Sequence, residues 1–164
     1  MNIHEAVKFL DGCALNKREG LPDEIFYFIS RTTPMVNVDL LVKSENGRTL
    51  MAWRNDQYAG TGWHIPGGIV RYKESFHTRI QKTALNELGT EIKFDEKPLA
   101  VNEIILPEYE NRAHFISLLY RCYTPRGYEI NNKNLRENDV GFLRWHEQCP
   151  DNILSVQNLY REYI

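Results

Sequence analysis

With 164 residues the chain fits one domain with a substantial core and argues against a second full domain. Its formal charge of −2, from 22 acids and 20 bases mixed along the sequence, argues against a broad footprint for nucleic acid or an anionic membrane and for a small-molecule partner. Cys13, Cys122 and Cys149 are odd in number and lack paired spacing, so they exclude a disulfide framework and read as reduced thiols in a cytoplasmic protein.

In chain order, Met1 to Leu15 is weakly amphipathic and reads as an ordinary first helix rather than a leader or a membrane span. Val36, Val38, Leu40 and Val42 alternate with more polar neighbours, the period of a half-buried strand. Asn46-Gly47 suits a tight hairpin, so residues 49–54 return as the partner strand and place Asp39 and Arg54 in one sheet. Residues 55–62 are rich in glycine and polar groups and read as a loop able to close over a ligand. Trp63 to Pro66 forms a short strand that delivers Gly67 and Gly68.

Over 75–88 the residues Phe76, Ile80, Ala84 and Leu88 recur every four positions and mark one buried helix face, with Gly89 as its stop. Alternation over 114–120 and 140–145 predicts two further strands, and the polar stretch 124–139 between them reads as a surface loop or a partly mobile segment. Ile153, Val156, Leu159, Tyr160 and Tyr163 predict a final amphipathic helix. Strands, a long helix, more strands and a last helix make an α/β or α+β layered domain.

Gly67 to Glu74 followed by Lys82 to Gly89 is a glycine turn feeding a helix with one inward acid, which points to phosphate chemistry around a single divalent metal. The spacing resembles the box of the Nudix hydrolases, with Gly68, Glu74, Glu87 and Gly89 in register. Lys82-Thr83 stands where an ordinary box has Arg-Glu, and Asn86-Glu87 where it has two glutamates. The match is closer to the GDP-mannose mannosyl hydrolase branch, whose helix also ends in a lone Glu before Leu-Gly. It covers Arg31 to Ile164 and departs at Ile69, where that branch carries arginine, and in a short loop between Glu103 and His114.

The resemblance implies a mixed β-sheet sandwiched between α-helices, a Nudix hydrolase domain over 31–164 with residues 1–30 as a helical N-terminal extension, and a homodimer. It also implies Mg²⁺, or Mn²⁺ in its place, and a nucleotide-sugar substrate such as GDP-mannose or GDP-glucose. Water would attack the sugar's anomeric carbon and the nucleoside diphosphate would leave, a task one ion can assist. Glu87, with a backbone carbonyl at Gly67, would hold that ion, since Mg²⁺ takes one or two carboxylates plus substrate phosphates. His114, matching the family's catalytic histidine, would act as general base.

Arg54 and Arg71 would clamp the phosphates, and Asp39 would orient polar groups or pair with Arg54. Glu74 is either an outer metal ligand or a carboxylate meeting the helix dipole. Tyr58 and Tyr109 would stack on base or sugar. Two other readings stay open: an ordinary Nudix pyrophosphohydrolase attacking phosphorus, and a non-catalytic module that binds a nucleotide sugar.

Overall fold

The computed structural model describes every residue except Tyr58. Two helices, α1 (Ile3–Cys13) and α2 (Asp23–Ser30), precede an eight-stranded sheet built from β1 (Met35–Lys43), β2 (Thr49–Asp56), β3 (Gly60–His64), β4 (Gly67–Ile69), β5 (Lys93–Phe94), β6 (Ala100–Ile105), β7 (His114–Tyr123) and β8 (Leu143–His146). Helix α3 (Phe76–Leu88) leaves the sheet after β4, and a 3₁₀ helix spans Ser155–Tyr163. The central order is β3-β2-β1-β7-β5, with β4 on β1, β6 on β7 and β8 on β2. β1 and β7 run parallel while the other pairs are antiparallel, so the sheet is mixed.

Alternation along β1 and β2 sends side chains to two cores. Val38, Leu40, Val42, Leu50 and Ala52 meet Ile80, Ala84 and Leu88 of α3 on one face. Leu41, Met51 and Trp53 join Trp63, Ile65, Ile153 and Tyr160 on the other, under the 3₁₀ helix. Each fully buried aliphatic side chain contributes about 1.5–3 kcal/mol, so the two-sided burial of this sheet fixes the strand register. Helix α3 starts where Ser75 accepts a hydrogen bond from the Thr78 N–H and stops at Gly89, whose φ of 70° is left-handed.

Four expectations need correction. Residues 55–56 and 60–62 are strand rather than loop, because β2 and β3 form a hairpin through Arg54↔Gly62, Asn55↔Thr61 and Asp56↔Gly60. Phe76 is exposed at the start of α3, while Thr83 is buried among its neighbours. The strand expected at 140–145 begins only at Leu143, because Gly141 at φ 88° turns the chain and leaves Val140 exposed. The last helix is 3₁₀ and begins at Ser155, because the preceding residues are drawn into the sheet: the Trp63 N–H donates to the Asn152 carbonyl (3.0 Å) and the Leu154 N–H to the Trp63 carbonyl (2.9 Å).

Residues 124–142 are pinned rather than loose. The Asn132 amide donates to the Leu143 carbonyl and accepts from its N–H, both at 2.9 Å. The Tyr128 hydroxyl donates to the Leu88 carbonyl at 3.0 Å, satisfying one of the open carbonyls at the end of α3. No described helix is long and apolar enough to cross a membrane.

Candidate functional site

The glycine turn brings three elements into contact. A Cβ at Gly67 would strike the Asp39 carboxylate of β1, and one at Gly68 would come within 2.5 Å of the Thr83 Oγ1 of α3. Only glycine lets β4 pair with β1 while α3 lies against it. The result is two cavities that meet on a ridge formed by Arg54, His64, Gly67, Asn86 and Glu87.

The first cavity, about 340 Å³, is lined by Asn37, Asp39, Arg71, Arg79, Arg112 and Ser117 in addition to the ridge. Glu87 reaches it from the last turn of α3, and its Oε1 accepts the Gly67 N–H at a long 3.4 Å. Burial pushes its carboxyl up to about 7; the Gly67 N–H and the Arg54 charge pull the other way, and Asp39 adds to the rise. Asp39 is fully buried and accepts from Asn37 (2.8 Å), from the Tyr160 hydroxyl (2.6 Å) and from the Ser117 hydroxyl. Burial raises its pKa against those three bonds. The expected pairing of Asp39 with Arg54 is not formed, because Arg54 Nε donates to Asp56, two positions on along the same strand.

Arg71 and Arg79 form the cationic wall. Arg79 is held by Glu74, with Nη2 and Nε at 2.6 and 2.7 Å from its Oε2. Lys82 adds an ion pair at 3.2 Å and the Arg71 N–H a hydrogen bond at 3.0 Å. Burial alone would raise the Glu74 carboxyl, but these donors outweigh it and hold its pKa below the ordinary value. Glu74 is therefore a brace for the turn and for Arg79, facing cations on all sides. Arg71 Nε is buried and has no hydrogen-bond partner among the described residues. Burial, with the Arg79 charge beside it, lowers its pKa.

His114 is not brought to this site. Phe115 and Ser117 line the first cavity, while His114 lines neither cavity. Its Nε2 lies 3.2 Å from Glu103 on the neighbouring strand β6. Tyr109 sits in an exposed turn and lines neither cavity. The expectation for Tyr58 falls outside the described residues.

His64 was missed by sequence reasoning. It is buried on the ridge, Nδ1 lies 2.9 Å from the Ile65 carbonyl, and burial lowers its pKa to about 4. The usable signal was its place on the strand entering the glycine turn. Among the described residues no three His, Cys, Asp or Glu side chains converge on a metal position. Glu87 alone, with a single long hydrogen bond, retains lone pairs free to meet a cation and substrate oxygens together.

No protein-family model matches the chain. A 77-residue stretch is 30% identical to the low-salt glycan biosynthesis protein Agl8 of Haloferax volcanii, covering 47% of this chain and 49% of that protein. The chain thus matches about half the length of that curated relative. Among solved structures, a candidate asymmetric diadenosine tetraphosphate hydrolase of Jonesia denitrificans superposes with a TM-score of 0.61 at 17% identity, over 80% of this chain and 92% of that one. A UDP-X diphosphatase gives 0.57 at 18% identity over 98% and 76%. A NUDIX hydrolase of Nitrosomonas europaea gives 0.57 at 18% identity over 80% and 72%. The chain has the Nudix fold, a mixed sheet flanked by helices.

Proposed function

We propose that the chain hydrolyses a nucleoside diphosphate linked to a second moiety, by water attack at phosphorus, with one Mg²⁺ or Mn²⁺ shared between Glu87 and the substrate. The observation that carries this reading is the position of Glu87 and Arg54 on the ridge between two cavities, one of them walled by arginines. A linked diphosphate has two ends and an anionic middle, and this site has the same division. The Nudix fold supports phosphate-ester chemistry, and the relatives described as a UDP-X diphosphatase and a glycan biosynthesis protein support a nucleotide-linked substrate.

The donor set fits one hard cation. Mg²⁺ keeps several waters and is completed by one or two carboxylates and by phosphate oxygens, so Glu87, together with the Gly67 carbonyl, would suffice to hold it. When bound, the ion would neutralise charge that develops on the phosphates. Arg54, Arg71 and Arg79 bind the non-bridging oxygens, and the brace from Glu74 keeps the Arg79 fork in position before substrate arrives. His64 stays neutral at physiological pH. With Nδ1–H given to Ile65, its Nε2 can accept a hydrogen bond from the attacking water and orient it.

A second reading keeps the substrate but moves attack to the sugar carbon. It is favoured by Thr83 and Asn86, which leave Glu87 without neighbouring acids on its helix face. Hydrolysis in ¹⁸O water separates the two: label in a phosphate supports attack at phosphorus, and label in the released sugar supports attack at carbon. In either case Glu87→Gln should lower kcat by about 10²-fold or more. Tight binding with no turnover in Mg²⁺ or Mn²⁺ would replace both with a binding module. Assembly as a homodimer and a cytoplasmic location belong to the same proposal, and light scattering on the purified chain tests the first.

A further inference from the structure

Arg112 lines the first cavity from the loop between β6 and β7, with Ile104, Leu106 and Phe115 beside it in the same wall. On the parallel ladder Phe115 pairs with Met35 and Leu119 with Asp39, and Asp39 in turn lies opposite Gly67. Four strand residues at about 3.3 Å each separate those two levels, so this part of the wall lies about 13 Å along the strand from the glycine turn. It is the end of the cavity remote from the metal position.

The backbone of Arg112 is left-handed, with a φ of 56°, a conformation that the Cβ of an arginine resists. Helix α2 holds it there. Ser30 is buried at the end of that helix; its hydroxyl donates to the Tyr27 carbonyl at 2.9 Å, which turns a lone pair toward the Arg112 N–H, and that N–H donates to it at 3.1 Å. Arg31 Nη1 donates to Asn111 Oδ1 on the same loop at 2.9 Å. The Arg112 guanidinium carbon lies 5.9 Å from the centre of the Phe26 ring, within cation–π range. One helix thus fixes both the backbone and the side chain of a single cavity residue.

We infer that Ser30 and Phe26 are positioning residues for Arg112, and that Arg112 binds the part of the substrate farthest from Glu87. Helix α2 is then a component of the binding wall and not an appendage to the domain that follows it. The inference rests on the proposed function and deepens it by adding a binding residue and the two groups that place it. A guanidinium carries five donors and no acceptor, so Arg112 meets oxygen or ring-nitrogen lone pairs, while Ile104, Leu106 and Phe115 cover the face of a flat group. Without the Ser30 hydroxyl the loop relaxes out of its left-handed turn and takes the guanidinium off the wall. Binding then has to restore an arrangement that α2 otherwise supplies beforehand.

Calorimetry with Mg²⁺ and UDP, GDP or ADP selects the nucleotide that the native chain binds most tightly, and that nucleotide is then titrated into Arg112→Ala, Ser30→Ala and the double variant. Arg112→Ala should weaken binding about tenfold and Ser30→Ala about fivefold, and the double variant should bind no more weakly than Arg112→Ala alone. Ser30 stands outside both hydrophobic cores; should Ser30→Ala fail to fold, Phe26→Leu repeats the comparison, with binding at least about threefold weaker and no further loss when added to Arg112→Ala. A purely structural role for Ser30 would lower the Tm and leave the affinity within about twofold of native. That result, losses that add in the double variant, or an Arg112→Ala protein that binds like the native chain would overturn the inference while the proposed function stands. A native chain that binds none of the three nucleotides refutes the proposed function and this inference with it.

Discussion

Glu87→Gln should stabilise the metal-free protein at pH 8 and change it little at pH 4. The carboxyl is raised to about 7 from its ordinary 4.5, so its contribution is fully present below about pH 4.5 and is lost as the pH rises through 7. Over the interval from 4.5 to 7, at about 1.4 kcal/mol per pH unit, the loss has a ceiling of about 3.5 kcal/mol, and partial contact with cavity water lowers it to about 1.5–3. For a chain of this size that is a Tm difference of roughly 3–12 °C between Gln and Glu at pH 8 in chelator. Thermal melts of both proteins at pH 4, 6 and 8 read it, and taking the difference cancels other titrations. Mg²⁺ at pH 8 should raise the Tm of the native chain and not that of the variant. Equal pH profiles for the two proteins, or a variant less stable at pH 8, would refute the argument that Glu87 is a strained carboxylate waiting for a cation.

Other outcomes follow from contacts described above. Gly68→Ala should cost about 1–3 kcal/mol by forcing the new Cβ against Thr83, and combining it with Thr83→Ala should recover part of that loss in a urea double-mutant cycle. Asn132→Ala removes two hydrogen bonds to Leu143 and should destabilise by about 1–3 kcal/mol while raising hydrogen exchange over residues 128–142. His114→Gln should leave kcat/KM within twofold, because the ring meets Glu103 outside both cavities; a tenfold loss in steady-state assays would put it back in the reaction.

The sequence was most informative where one physical constraint acted alone. Period-two alternation located β1 and period-four spacing located α3, but Val36 and Phe76, read as inward, are exposed, and β1 is buried on both faces rather than one. The glycine pair was legible for the same reason, since each glycine avoids a clash with a named side chain. Strands β5 and β6 were not foreseen, because β5 has only two residues and the alternation of β6 leaves Val101 and Ile105 exposed, so its pattern points the wrong way. Site residues depended on which face a strand turns inward, and that follows from pairing rather than from local pattern. A shift of one position decides whether His114 or Phe115 faces the cavity. The same local ambiguity hid His64 until the sheet placed it on the ridge.

Met35 pairs with Phe115 and Lys43 with Tyr123, so every rung of the central parallel ladder joins residues eighty positions apart. Closing so large a loop costs entropy before any contact repays it, and domains dominated by such distant pairs fold in milliseconds to seconds rather than microseconds. Asp39 acquires its Ser117 partner only when this ladder forms. The local hairpin of β2 and β3 can exist earlier, but a competent pocket has to wait for the slowest pairing in the molecule.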